Sequence, residues 1–197
     1  MSISLGSAET TLLRLTAAYS SFVNGGKLVK PIMIDRIQDS EGNTIFNNET
    51  RKCVNCDQIS YLGKDYPIVK DDYKKIFSSQ TSYQMTSILE GVVQRGTAKK
   101  LRDLKLNIAG KTGTTNKNTD TWFVGYTSNL LIGVYVGLDN PSPLGRYETG
   151  SKTALPIFKE FVKKTINKAD ARPFKVAEGT VMMLSLIHIW RCRRLLT

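Results

Sequence analysis

Histidine occurs once in 197 residues, at position 188, and cysteine three times. That scarcity removes whole classes of chemistry. A lone histidine, with no serine or aspartate set beside it by any motif, does not complete a hydrolytic triad. A structural zinc wants four sulfur or nitrogen ligands, and the pair Cys53/Cys56 has no second half except Cys192 and His188 near the chain end. No metal and no cofactor are expected. Long apolar runs are missing as well: the stretch from Leu130 to Leu138 is far too short to cross a bilayer. The opening Met1-Ser-Ile-Ser-Leu-Gly-Ser7 has neither the basic nor the apolar region of a secretory leader. Either the chain is cytoplasmic or residue 1 is not the natural start, and the second is the expectation. Acidic residues are few beside basic ones, 17 against 28, for a net charge of +11. The basic residues are scattered, with only short clusters such as Lys99-Lys100, Lys163-Lys164 and Arg191 to Arg194. With no nucleic-acid module and no interleaved aromatics, this charge reads as a solvated surface and no nucleic-acid partner is expected. Attraction to an anionic polymer or membrane surface stays open.

What is present fits one buried core. Leu12, Leu15, Tyr19, Phe22 and Val23 recur at helical spacing and end at Gly25-Gly26, which predicts an amphipathic helix with a glycine stop. The runs 31–37 and 44–46, either side of Asp39-Ser-Glu-Gly-Asn43, predict a β-hairpin. Residues 47–75 are polar and irregular and read as a loop insertion. Cys53 and Cys56 within it could form a local disulfide, idle free thiols or a redox-active pair. Met85, Ile88, Leu89, Val92 and Val93, bounded by Ser82 and Gly96, predict the clearest helix, and Thr97 is placed to cap the basic turn after it. Segments 106–112, 121–126 and 130–138 predict three consecutive antiparallel strands. Trp122 and Phe123, adjacent on a strand, must point to opposite faces, so at least one is expected to be buried. Pro156 is expected to open a helix with Ile157, Phe158, Phe161, Val162 and Ile166 on one face, its carboxyl end favoured by Lys163, Lys164 and Lys168.

The stretch Asn107-Ile-Ala-Gly-Lys-Thr-Gly-Thr-Thr115 concentrates chemistry at a strand end. Lys111 brings a compact positive charge, Thr112, Thr114 and Thr115 bring donors, and Gly113 removes a side chain where another backbone could come close. A phosphate-cradling loop needs a glycine where this chain has Lys105, so that reading fails. A carboxylate- and carbonyl-binding edge remains.

Taken with Gly96-Thr97, Asp120-Thr-Trp-Phe-Val-Gly-Tyr126, Gly133-Val-Tyr-Val-Gly-Leu-Asp139, Ala154-Leu-Pro-Ile-Phe158 and the first helix, this stretch resembles the C-terminal part of the transpeptidase domain of class A penicillin-binding proteins of the bifunctional 1A type. The likeness runs over about residues 5–168. It implies an α+β transpeptidase fold, incomplete here, with an antiparallel sheet and flanking helices. It also implies a serine D,D-transpeptidase acting on peptidoglycan stem peptides and binding β-lactams. Within that resemblance Lys111 supplies positive potential, Thr112 and Thr114 bind a carboxylate, the Thr114 N–H is an oxyanion donor, and Gly113 lets the substrate strand lie close. Thr115 is a further candidate for substrate contact, although it, Asp120 and Trp122 fit a turn- and core-shaping role better.

The departure is as informative as the likeness. No Ser-x-x-Lys and no Ser-x-Asn occurs in the chain. The nucleophile, its lysine and the second motif are expected upstream of residue 1, together with a membrane anchor and a glycosyltransferase domain. The full protein is then expected on the periplasmic side of the inner membrane, and this portion is expected to be inactive alone. The alternative is a non-catalytic stem-peptide-binding module. Residues 1–183 are taken as the transpeptidase portion. Residues 184–197 hold the only histidine and the third cysteine and resemble translated adapter read-through; a genuine basic amphipathic tail is the other reading.

Overall fold

The computed structural model describes residues 8–49, 51–56, 66–70, 73–167, 171–184 and 193–196. The chain divides into two compact units, Met1–Val29 with Lys75–Thr197, and Lys30–Lys74.

In the first unit, helix α1 spans Leu12–Val23, and the Thr11 hydroxyl accepts from the Arg14 N–H at 3.3 Å. It stops where expected. Gly25 and Gly26 take φ of +76° and +93°, and a side chain at Gly26 would collide with the Phe77 carbonyl. Helix α2, Ser79–Gln94, begins three residues earlier than the apolar spacing predicts, because Ser78 caps it by accepting from the Thr81 N–H at 3.0 Å. Its buried stripe is Ser82, Thr86, Leu89 and Val93, while Ile88 is exposed. The buried face is therefore rotated from the predicted one, and the Thr86 hydroxyl is met inside by the Phe22 carbonyl at 3.2 Å and the Tyr126 hydroxyl at 3.1 Å.

Three strands follow, β5 (Ala109–Thr114), β6 (Asp120–Tyr126) and β7 (Leu131–Gly137), in the order β5-β6-β7 and all antiparallel. The predicted order of three antiparallel strands holds, but β5 is shifted from the predicted 106–112, with Leu106 and Asn107 before it and Gly113 and Thr114 within it. Register and strand alternation assign the faces. Gly110, Thr112, Thr114, Phe123 and Val134 share one face; Lys111, Gly113, Trp122 and Tyr135 share the other. Helix α3, Ala154–Thr165, covers the first face with Leu155, Phe158 and Val162, and the Phe158 ring meets Phe123 edge-on at 4.7 Å. Phe123 is fully buried and Trp122 half-buried, as adjacent strand positions require. α3 starts at Ala154, two residues before Pro156. Proline is tolerated there because first-turn N–H groups have no partner within the helix. Ile157 and Phe161 are half-exposed, so only part of the predicted stripe is core. Helix α1 packs on β7 at Gly133, whose missing side chain makes room for Thr16 and Leu12.

The second unit holds two hairpins. Strands β1 (Arg36–Gln38) and β2 (Thr44–Asn47) pair as the sequence indicates, although β1 begins only at Arg36 and leaves Ile32 and Ile34 exposed. The Asp39 carboxylate closes the turn by accepting from the Asn43 side-chain amide and from the Asn43 and Glu41 N–H groups, and those bonds, the side-chain one foremost, hold its pKa low. The segment read as an irregular loop contains β3 (Lys52–Val54) paired with β4 (Ile68–Lys70). Its polar composition hides the pairing, because backbone hydrogen bonds form strands of three residues without an apolar face. Strands β8 (Val181–Leu184) and β9 (Arg193–Leu196), in the first unit, bring the end of the tail back antiparallel to the residues just before it.

Candidate substrate-binding edge

Among the described residues β5 pairs with β6 alone, so its other side is a strand edge. The Thr115 N–H donates to the Asp120 carbonyl at 3.1 Å and so points toward β6. Alternation along an antiparallel strand then turns the N–H and C=O groups of Thr112 and Thr114 outward. The Thr112 carbonyl supports that assignment, since it accepts from the Lys111 ammonium at 2.8 Å. Lys111 is exposed and makes no ion pair with a carboxylate among the described residues.

Each candidate side chain has a defined setting. The Thr112 hydroxyl bonds to the Thr97 hydroxyl at 2.9 Å. Thr97 does not cap the 3₁₀ turn at Lys99–Leu104, which has no side-chain cap. Instead, Gly96 lets the chain turn back tightly on Val92, with the N–H groups of Gly96 and Ala98 both donating to the Val92 carbonyl, and this carries Thr97 to β5. The Thr114 hydroxyl accepts from the Gly150 N–H at 3.1 Å. Thr115 is engaged in the turn: its hydroxyl accepts from the Asp120 N–H at 2.9 Å and meets the Thr119 hydroxyl at 2.8 Å.

Gly113 is half-buried. A Cβ there would lie 3.1 Å from the Trp122 Cβ, and one on Gly150 would lie 2.7 Å from the Gly113 carbonyl oxygen. Gly150 thus lies tight against one face of the strand, Trp122 stands beside Gly113 as its cross-strand partner on the other, and the strand's outer edge is left for a ligand backbone. Beside it, Tyr135 donates to the Asp120 carboxylate at 2.9 Å; that bond raises the Tyr135 pKa, and the ring sits edge-on to Trp122 at 4.7 Å. Sequence reasoning grouped Lys111, Thr112, Gly113 and Thr114 at the end of a strand that it closed at Thr112, whereas all four lie within β5. It missed Thr97 and Gly150 as their partners, although the Gly-Thr pair directly after α2 was a usable signal.

Cys53 and Cys56 lie in the second unit with Cα atoms 5.8 Å apart and their sulfurs in contact. Among the described residues no group of histidine, cysteine, aspartate or glutamate is arranged to hold a metal. No helix among them is long and apolar enough to cross a membrane.

Comparison with known proteins gives a consistent result. The family model described as penicillin binding protein transpeptidase domain matches residues 1–163. The penicillin-binding protein 1A of Rickettsia prowazekii (strain Madrid E) is 42% identical over 181 residues, which is 90% of this chain and 23% of that protein. That of Neisseria flavescens is 35% identical over 183 residues, 92% of this chain and 21% of its own length. The chain therefore spans less than a quarter of these curated relatives. Among solved structures, penicillin-binding protein 1A from Haemophilus influenzae superposes with a TM-score of 0.75 at 28% identity, covering 92% of this chain and 30% of that one. The D,D-transpeptidase domain of a peptidoglycan glycosyltransferase from Eggerthella lenta, at 22% identity and a TM-score of 0.53, shares the fold.

Proposed function

The chain belongs to the penicillin-binding protein transpeptidase domain family, and we propose that it supplies the substrate-gripping edge of a serine D,D-transpeptidase in a bifunctional cell-wall synthase of the 1A type. The observation that carries this reading is the outward-facing backbone of Thr112 and Thr114 beside the Lys111 ammonium. An extended stem peptide ending in D-Ala-D-Ala, or a β-lactam, adds to that edge as a strand. The terminal carboxylate is then met by the Lys111 charge and by the hydroxyls of Thr112 and Thr114. When the serine attacks the penultimate carbonyl, the Thr114 N–H donates to the oxyanion that develops, and the terminal D-Ala leaves with the electron pair of the broken amide bond. The acyl group next passes to an amine of a neighbouring strand. The serine is the partner this chain does not contain, since Ser-x-x-Lys and Ser-x-Asn are absent.

In the whole protein this edge works on the periplasmic side of the inner membrane, with β-lactams and stem peptides as ligands. Residues 184–197 stand outside the functional unit as foreign sequence. The same absence of a nucleophile favours a second reading, a non-catalytic module that holds stem peptides.

Incubation with a fluorescent penicillin tests the assignment. The 197-residue chain is expected to take no covalent label, and labelling sinks the claim that the nucleophile lies elsewhere. Titration with an acylated D-Ala-D-Ala peptide is expected to shift the Thr112 and Thr114 amides in the chain but not in Lys111→Ala; unmoved amides remove the edge. Genomic sequence across both ends of the frame separates the two readings, because the enzyme reading requires both serine motifs upstream.

A further inference from the structure

Away from Thr114, at the end of the sheet that carries Ala109, Tyr126 and Leu131, lies a cavity of about 840 Å³. The size is that of a small-molecule site. Its floor includes Ser79, Gln80 and Ser82 in the first turn of α2, a helix end with partial positive charge and no acidic residue in that turn. Lys75, just before the helix, lines it as well. Another wall is the extended segment after α3, which contributes Arg172 and Lys175. None of these three cations makes an ion pair among the described residues, and Glu178 is the one carboxylate in the described lining.

That wall is anchored at two points. Phe174 packs edge-on against the buried Tyr126 at 5.6 Å, and the Gln80 amide donates to the Glu178 carbonyl at 2.9 Å. The cations at 172 and 175 therefore flank a fixed aromatic anchor and do not sit on a free tail. Ser82 and Ser128 also line the cavity; among the described residues their hydroxyls have no hydrogen-bond partner, and the Ser82 oxygen lies against Gly26 beneath the cavity surface. Phe22 and Phe174 add an apolar surface to the same space.

We propose that this cavity is a binding site for a small organic anion, with its anionic group taken by Lys75, Arg172 and Lys175 at the amino end of α2 and its apolar body against Phe22 and Phe174. The site is separate from the β5 edge, and it does not depend on the transpeptidase reading.

Amide NMR of the full chain, titrated at constant ionic strength with inorganic phosphate and with phenyl phosphate, tests it. Saturable shifts are expected in residues 79–83 and 174–178, with phenyl phosphate binding severalfold tighter. The double variant Arg172→Gln/Lys175→Gln is expected to weaken both ligands about tenfold. Lys75→Gln, outside the anchored segment, is expected to weaken them as well. Lys163→Gln/Lys164→Gln removes the same charge from α3 and is expected to change nothing. Shifts that never saturate, spread over the basic surface or centre on Thr112 and Thr114 overturn the proposal. So does equal weakening by the α3 variant, or the absence of a preference for phenyl phosphate.

Discussion

The Gly150 N–H donates to the Thr114 hydroxyl at 3.1 Å, while the Gly150 Cα lies so close to the sheet that a Cβ on it would be 2.5 Å from the Trp122 carbonyl oxygen and 2.7 Å from that of Gly113. Both atoms are backbone and cannot swing aside. Gly150→Ala is therefore expected to cost about 1–3 kcal/mol of stability and to shift the Thr114 amide resonance. Urea denaturation and an amide spectrum check this. An unchanged midpoint with an unchanged Thr114 signal would mean the loop does not clamp the edge.

Phe158 and Phe161 lie on the same short helix in opposite settings. Phe158 is fully buried against Phe123, and Phe161 is half-exposed. Phe158→Ala is expected to lose about 3–5 kcal/mol, and Phe161→Ala under about 1 kcal/mol. Similar losses in both variants would show that a further surface covers Phe161 in solution.

The pKa of Tyr126 is pushed up to about 12 by burial, against the opposing effect of its hydrogen bond with Thr86 at 3.1 Å. The unfolded chain ionises this phenol near pH 10 while the folded chain keeps it neutral. The resulting stability is complete below about pH 10 and is lost as pH rises toward about 12, by up to about 3 kcal/mol. Urea midpoints of the native chain and Tyr126→Phe between pH 8 and 12 are expected to converge on the alkaline side. A constant gap would contradict a raised phenol pKa.

Cys53 and Cys56 have a Cα separation within the range a disulfide spans, and a bond between them is our proposal for protein made in an oxidising compartment. Closing so short a loop contributes about 2 kcal/mol at most. The peptide carrying both residues is expected to resist alkylation until reduced. Alkylation without reductant would leave the free-thiol reading.

Local chemistry alone set much of this molecule. The three consecutive strands are legible because β-branched and aromatic runs alternate with short turn sequences, and strand neighbours close in sequence pair by default. The lysine, glycine and hydroxyl cluster at 111–114 is legible because so polar a run at a strand end has no packing purpose. The end of α1 is written in Gly25-Gly26, since few other residues take a positive φ there. Tertiary structure decided the rest. Which side of α2 is buried depended on what it packs against, so Ser82 and Thr86 went inside and Ile88 stayed out. β3 and β4 rest on backbone pairing across a long polar stretch with no side-chain periodicity to announce it. Thr97 meeting Thr112, Gly150 meeting Thr114, and Lys75 and Arg172 lining one cavity join residues far apart in the chain. Such contacts depend on how helices dock on a sheet, and no local spacing encodes that docking.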